Sequence, residues 1–410
     1  MKSKIFTAII LAGAVLLFPA CNQVDPIPDQ PTPVELNKKA AEIIKADQQF
    51  AFELFNEIYE ASEEENIMIS PLSVSYALGM TYNGAAGATF DAFVDVLHFG
   101  DLTNTEVNES YKDLMGQLVT LDDQVEFSIA NSIWYKLGFE VLEAFITTNQ
   151  EYFDAAVREL DFGDPDAVDI INGWIEEKTN DKIKDMLDYI PEGAVMYLIN
   201  AVYFNADWKY QFDPEETYEA DFTLEDGSIH QANYMTMEGG FNYAATEDFT
   251  AVELPYGDSS FSMVLFLPAG ENNIDDLVAS LDSSTLDKYQ VAASPQTVQL
   301  FIPKFKYDFK QLLNDQLINL GLGVAFGGGA DFSRITPGGG ILISRVIHQS
   351  FIDVSEEGTE AAAATIVELW ESSINSQYFN ANQPFVYIIK ENSTNAIIFM
   401  GKVGKPVHEE

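Results

Sequence analysis

Side chains able to do chemistry on their own are few in this chain. Its histidines are His98, His230, His348 and His408, and its lone cysteine is Cys21. No two histidines stand at the spacing of a zinc or copper ligand pair, and no cysteine sits near them to complete a site. A metal is therefore not expected, nor any other cofactor. A nucleophilic serine on a G-x-S-x-G elbow, a phosphate loop ending in Lys-Ser/Thr and a dinucleotide fingerprint are all missing from the sequence. The glycine-rich Gly327-Gly-Gly-Ala and Pro337-Gly-Gly-Gly segments lack a following lysine and read as turns. The chain is expected not to be an enzyme.

A different kind of chemistry is written in Glu356-Glu-Gly-Thr-Glu-Ala-Ala-Ala-Ala-Thr-Ile-Val-Glu-Leu-Trp-Glu-Ser-Ser373. Residues 360–371 have good helix propensity. Taken as a strand, the same residues divide by face. Thr359, Ala361, Ala363, Thr365, Val367 and Leu369 fall on one side, small or apolar and uncharged. Glu360, Ala362, Ala364, Ile366, Glu368 and Trp370 fall on the other, so both charges share one face. Period-two alternation of this kind suits a strand buried on one face. A segment that fits either a loop or helix, or else a strand, is a candidate switch.

The elements that would hold such a segment follow from periodicity. Ile43, Ile44, Phe50, Phe52, Leu54, Phe55 and Ile58 recur at helical spacing. Ser70-Pro71 opens a second helix, with Ser as cap and Pro in the first turn. More helix is expected over 90–97 and 110–121. After Val125 the pattern turns to strands, at 127–134, 195–204, 222–224, 251–254, 261–267, 298–302, 341–344 and 385–389. Helices first and strands later give an α+β class. With no internal repeat and no linker after residue 35, one large domain over 36–410 is expected.

The N-terminus reads as processing signal. Lys2 and Lys4 precede an apolar run over 5–18 and then Ala20-Cys21. That is the layout of a secretory leader over 1–20, too short for a lasting membrane span. Cys21 stands where a lipoprotein leader is cut, so lipidation there is expected, with an ordinary leader as the alternative. Residues 21–35 carry Pro26, Pro28, Pro31 and Pro33, a semi-rigid tether. The domain is then exported and lipid-anchored to a bacterial outer membrane on its periplasmic or surface face, or else secreted. The chain has 21 Lys and Arg against 65 Asp and Glu, a formal charge of −44. Nucleic acid, heparin-like sugars and anionic membrane surfaces are repelled by that field. Residues 90–115 carry only Lys112 against several carboxylates, which argues further against heparin. With no disulfide possible in the domain, stability must come from the core, and 29 Phe and 18 Tyr supply it.

Several of these stretches resemble the serpin family, over nearly everything from about residue 40 to 407. Glu356-Glu-Gly-Thr-Glu-Ala-Ala-Ala-Ala364 is similar to the hinge of inhibitory members. Phe379-Asn-Ala-Asn-Gln-Pro-Phe-Val-Tyr-Ile-Ile389, followed by Ile398-Phe-Met-Gly-Lys-Val403 and Pro406, resembles the C-terminal signature. Asn66-Ile-Met-Ile-Ser-Pro-Leu-Ser73 resembles the start of the central buried helix, and Leu198-Ile-Asn-Ala-Val-Tyr-Phe204 with Trp208 the top of the main sheet.

The resemblance implies a single domain with a central five-stranded sheet, further sheets, eight or nine helices and a reactive loop over 356–378. It implies an irreversible suicide inhibitor, kinetically trapped in its native state, whose partner is a protease held as a covalent acyl complex. The cut loop enters the central sheet, carrying the protease roughly 50 Å at ~3.3 Å per inserted residue. It further implies that Ser70, Ser73, Asn200, Trp208 and His348 govern sheet opening. The family's usual hinge length places the reactive bond between Ser372 and Ser373. Ser372 suits an elastase-like or subtilisin-like serine protease. Cleavage after Glu371 suits a papain-like cysteine protease, and cleavage after Trp370 a chymotrypsin-like enzyme. A monomer is expected. A non-inhibitory binding or carrier member is the alternative.

Overall fold

Ser70 meets the expectation for a residue standing before a helical proline. Its backbone is extended, its Oγ accepts the Ser73 N–H, and the helix begins at Pro71. The computed structural model describes residues 33, 34, 36, 38–359 and 376–408. In chain order its helices are α1 (Lys38–Ala61), α2 (Pro71–Tyr82), α3 (Gly87–Val96), α4 (Asn104–Leu118), α5 (Glu143–Phe153), α6 (Ala167–Lys178), α7 (Ile274–Ser280), α8 (Thr285–Ala292) and α9 (Asn314–Asn319). The strands are β1 (Asn66–Ile69), β2 (Val125–Lys136), β3 (Ala156–Leu160), β4 (Met196–Asp207), β5 (Tyr218–Thr223), β6 (Ile229–Ala245), β7 (Phe249–Pro255) and β8 (Phe261–Pro268). They continue as β9 (Ser294–Pro303), β10 (Phe305–Leu312), β11 (Ile347–Val354), β12 (Gly358–Thr359), β13 (Gln377–Asn380), β14 (Phe385–Glu391) and β15 (Ile397–Val403).

Two sheets organise these strands. One follows the order β10-β11-β12-β4-β2-β3. It holds five long strands, as expected, and a sixth piece, β12, only two residues long. The other runs β1-β15-β14-β8-β7-β6-β9-β13, with β5 paired to β6. Helix α2 is buried at every position except Ala77 and so is apolar all round, as a core helix must be. The two faces of β4 are told apart by their neighbours. Asn200 bonds to Ser73 of α2, whereas Ile199 and Ala201 join Trp134, Trp174 and Ile175 in a second apolar cluster beneath α6.

Residues 341–344 are the correction to the strand assignment, since they form no strand. Gly338, Gly339 and Gly340 all have positive φ and turn the chain sharply before Ile341. The backbone that follows is satisfied elsewhere. Ile343 N–H donates to Ala325 O (2.9 Å), and the Asn314 amide bridges Ser344 O and Val346 N–H (both 2.8 Å). The glycine segments are turns, as read.

The expected leader 1–20, Cys21 and most of the tether lie outside the described residues, as do the loop positions from Glu360 and Ala361 through Ala362, Ala363, Ala364, Trp370, Glu371, Ser372 and Ser373. Near the tether's end Val34 already belongs to the domain. It is buried, and its N–H donates to Ser393 Oγ (3.0 Å).

Candidate functional site

The described part of the hinge is seated at one end of the six-stranded sheet. Gly358 pairs with Asp207 and Thr359 with Ala206 of β4, while Thr359 also pairs with Val354 of β11. Only glycine fits at 358. A Cβ there would run into the Ala206 carbonyl and lie 2.7 Å from Asp207 Cα. Thr359 turns inward, its Oγ1 2.7 Å from Tyr256 Oη. Trp208 stacks on Tyr256 with ring centres 4.4 Å apart. Its Nε1–H donates to Ser355 O (2.9 Å) and its N–H to Glu357 O (2.8 Å).

Glu356 is clamped beside this corner. Its carboxylate meets Lys304 Nζ at 2.8 Å and accepts the Thr217 hydroxyl at 2.7 Å, and Phe212 N–H donates to its carbonyl (2.9 Å). Burial by itself would raise this carboxyl's pKa. The bonds from Lys304 and Thr217 outweigh it and hold the pKa below the ordinary value. Asp207 goes the other way, pushed up by burial and then by the Glu357 charge.

Below Thr359 the sheet is open. Among the described residues no ladder joins β4 to β11. A cavity of about 420 Å³ lies between the lower half of β4 and residues 340–348, floored by Ser73, Val74 and Leu78 of α2. The four polar residues expected under the sheet gather here in two short chains. Ser70 N–H donates to His348 Nε2 (3.1 Å) and Ser70 Oγ–H to Ile398 O (2.8 Å). Ser73 bonds to Asn200, whose amide donates to Asn131 Oδ1 (2.6 Å). Burial pushes His348 down to about 4, so the ring is neutral. Because Nε2 accepts, its proton is on Nδ1.

The other histidines are far from this cleft. His98 meets Glu53 (2.8 Å), His230 meets Pro406 O (2.8 Å) and His408 meets Asp353 (2.9 Å). Among the described residues no three His, Cys, Asp or Glu side chains are grouped to hold a metal. What the arrangement can do is mechanical: receive an extended segment between β4 and β11, starting from a strand already begun.

A family model described as Serpin (serine protease inhibitor) matches residues 45–406. The chain belongs to the serpin family. A serpin-like protein of Methanosarcina acetivorans is 35% identical over 100% of both chains. Among solved structures, the thermophilic serpin tengpin in its native state superposes with a TM-score of 0.82 at 32% identity, covering 93% of this chain and 98% of that one. Human thyroxine-binding globulin in complex with its hormone gives 0.84 at 26% identity, covering 90% and 100%. The same serpin framework therefore houses proteins of different use.

Sequence reasoning missed several residues of this serpin's cleft: Lys304 and Thr217 on Glu356, Tyr256 on Thr359, and Tyr197 and Arg345 at the foot. One signal was available for Lys304. In a chain with so few basic residues, a lysine inside Ile302-Pro303-Lys304-Phe305 invites the question of which carboxylate it meets.

Proposed function

We propose that this serpin is an irreversible inhibitor of proteases, and that residues 356–378 are its bait. The observation that carries the reading is β12: the loop's first residues are already a strand between β4 and β11, above a stretch where those two strands do not pair. A protease nucleophile attacks the carbonyl of Ser372, the 372–373 peptide bond breaks, and the new amine of Ser373 leaves with a proton. The freed segment then zips downward from Thr359. Speed is set by what must pass the corner. Thr359, Ala361 and Ala363 are small and uncharged, so entry costs little desolvation.

The target proposed is an elastase-like or subtilisin-like serine protease. Cleavage after Glu371 or Trp370 would reassign it to a papain-like or chymotrypsin-like enzyme. Incubation with a panel of these enzymes should give a covalent complex that survives SDS, and the mass of the released C-terminal peptide should name the bond. Clean cleavage with no complex would overturn the inhibitor reading in favour of a carrier. We also propose export with a lipid anchor at Cys21. Changing Cys21→Ser should then move the protein from the membrane to the soluble fraction, and an unchanged distribution would remove the anchor.

A further inference from the structure

Two polar atoms at the foot of the cleft have no partner. Tyr197 Oη and Arg345 Nη1 are both buried, and neither makes a hydrogen bond. Tyr197 lies opposite Trp134 of β2 on the face that packs beneath α6. Arg345 lies three residues before His348, its guanidinium 5.2 Å from the centre of the Tyr189 ring. Both border the cavity between β4 and β11. A buried guanidinium N–H left unpaired is costly. A guanidinium beside a phenol is a donor set for a carboxylate.

The register at the head of the cleft says which carboxylate. Thr359 stands between Ala206 and Val354. Each further residue of an antiparallel strand meets one residue earlier on either neighbour. Carrying the sequence downward brings Thr365 between Asn200 and His348, Ile366 between Ile199 and Ile347, and Val367 between Leu198 and Val346. Polar meets polar and apolar meets apolar at each step. Glu368 then falls between Tyr197 and Arg345. The three stretches have one length, 9 residues from 359 to 368, from 206 to 197 and from 354 to 345, about 30 Å of strand. A slip of one residue would put Val367 or Leu369 against the guanidinium and reverse every face.

We propose that Tyr197 and Arg345 form a carboxylate-binding site whose ligand is the Glu368 side chain of this chain's own loop, engaged when the cut loop has entered the cleft to that row. The proposal rests on the loop-insertion reading above. It makes the last rows of insertion favourable and opposes withdrawal of the strand. Every bond proposed for cleavage, after Trp370, Glu371 or Ser372, lies beyond Glu368, so each leaves the ligand on the inserting strand.

The test uses the full chain nicked in its loop by a protease that it does not trap, with thermal midpoints read before and after nicking. Nicking should raise the wild-type midpoint well above that of the intact chain. Glu368→Gln, Tyr197→Phe and Arg345→Met should each lower the nicked midpoint by a few degrees, with Glu368→Gln leaving the intact one unmoved. Combining Glu368→Gln with Arg345→Met should cost no more than the worse single change. Exchanging the charges, Glu368→Arg with Arg345→Glu, should regain most of the loss. Tyr197→Phe keeps the ring and decides the matter if Arg345→Met fails to fold. Additive losses, or a nicked Glu368→Gln chain as stable as wild type, would overturn the site while leaving insertion intact. No rise on nicking of the wild type would overturn insertion and the site together.

Discussion

At the head of the cleft polar groups are paired, and at its foot two are left waiting. The Glu356 carboxylate holds Lys304 and Thr217, Thr359 faces Tyr256, and the carbonyls of Ser355 and Glu357 take the Trp208 donors. At the foot, Tyr197 Oη and Arg345 Nη1 are buried and unbonded. A hinge needs its first residues fixed so that a strand can start in register. A latch gains most if its contacts are absent before the switch and present after it. The difference between the ends thus gives insertion a direction, with entry prepared above and reward stored below.

The largest effect is expected from blocking the path between the ends. Ala363→Glu places a charge on the inward face, in the row of Val202 and Ser350 if the register continues. Burying an unpaired carboxylate costs several kcal/mol, and every ~1.4 kcal/mol on the insertion barrier is a tenfold loss against deacylation. Incubation with the target protease should then yield cleaved chain with no SDS-stable complex. Undiminished complex would mean that position 363 never passes inward.

Next comes the head itself. Glu356→Lys removes a buried partner and sets two ammonium groups together, a loss of about 3 kcal/mol or more. A lower urea midpoint and faster loss of the native form should follow, and adding Lys304→Glu should recover part of both. If the double variant is as weak as the single, the clamp is not the ion pair that its 2.8 Å contact implies.

The head of the cleft was far more legible in the sequence than the foot. Gly358, the alanines and the face division were visible because local alternation reports a strand without knowing its neighbours. Ser70 was visible because a cap followed by proline is a local signal, and the buried α2 after it followed. Ser73, Asn200, Trp208 and His348 came from family resemblance, and the structure brings them to one cleft. Arg345 and Tyr197 could not be read, since their meaning depends on a row shared by strands distant in sequence. Strand assignment over 341–344 failed for a related reason. Its apolar alternation is real, but the three positive-φ glycines before it and the Asn314 bridge decide the backbone. Charge periodicity carries no information about either.

A smaller change isolates one bond at the head. Trp208→Phe keeps an aromatic ring against Tyr256 and loses the donor to Ser355 O. About 1 kcal/mol of native stability should go, with the inhibitor still forming complex. Loss of complex at that cost would make the Trp208 bond part of the insertion step itself.

Between the two ends sits His348, and its effect near neutrality is smaller again. Its pKa falls from 6.5 to about 4 on burial. Below 6.5 the unfolded chain takes up a proton that the folded chain refuses, so stability is full above 6.5 and is lost as pH falls toward 4. Asp47 of α1 opposes it. Burial raises that carboxyl from 3.8 to about 7, Tyr111 donates to its Oδ1 at 2.9 Å, and Oδ2 has no partner but a proton. Its contribution is full below 3.8 and is lost as pH rises through 7. Between pH 6 and 7 the two slopes have opposite sign, each about 1 kcal/mol or less, and they largely cancel. Asp47→Asn should therefore leave a urea midpoint that rises from pH 6 to pH 7, and His348→Gln one that falls. Equal slopes in the two variants would mean that neither group carries the proton balance, and that the middle of the cleft is as indifferent to acid as its clamped head.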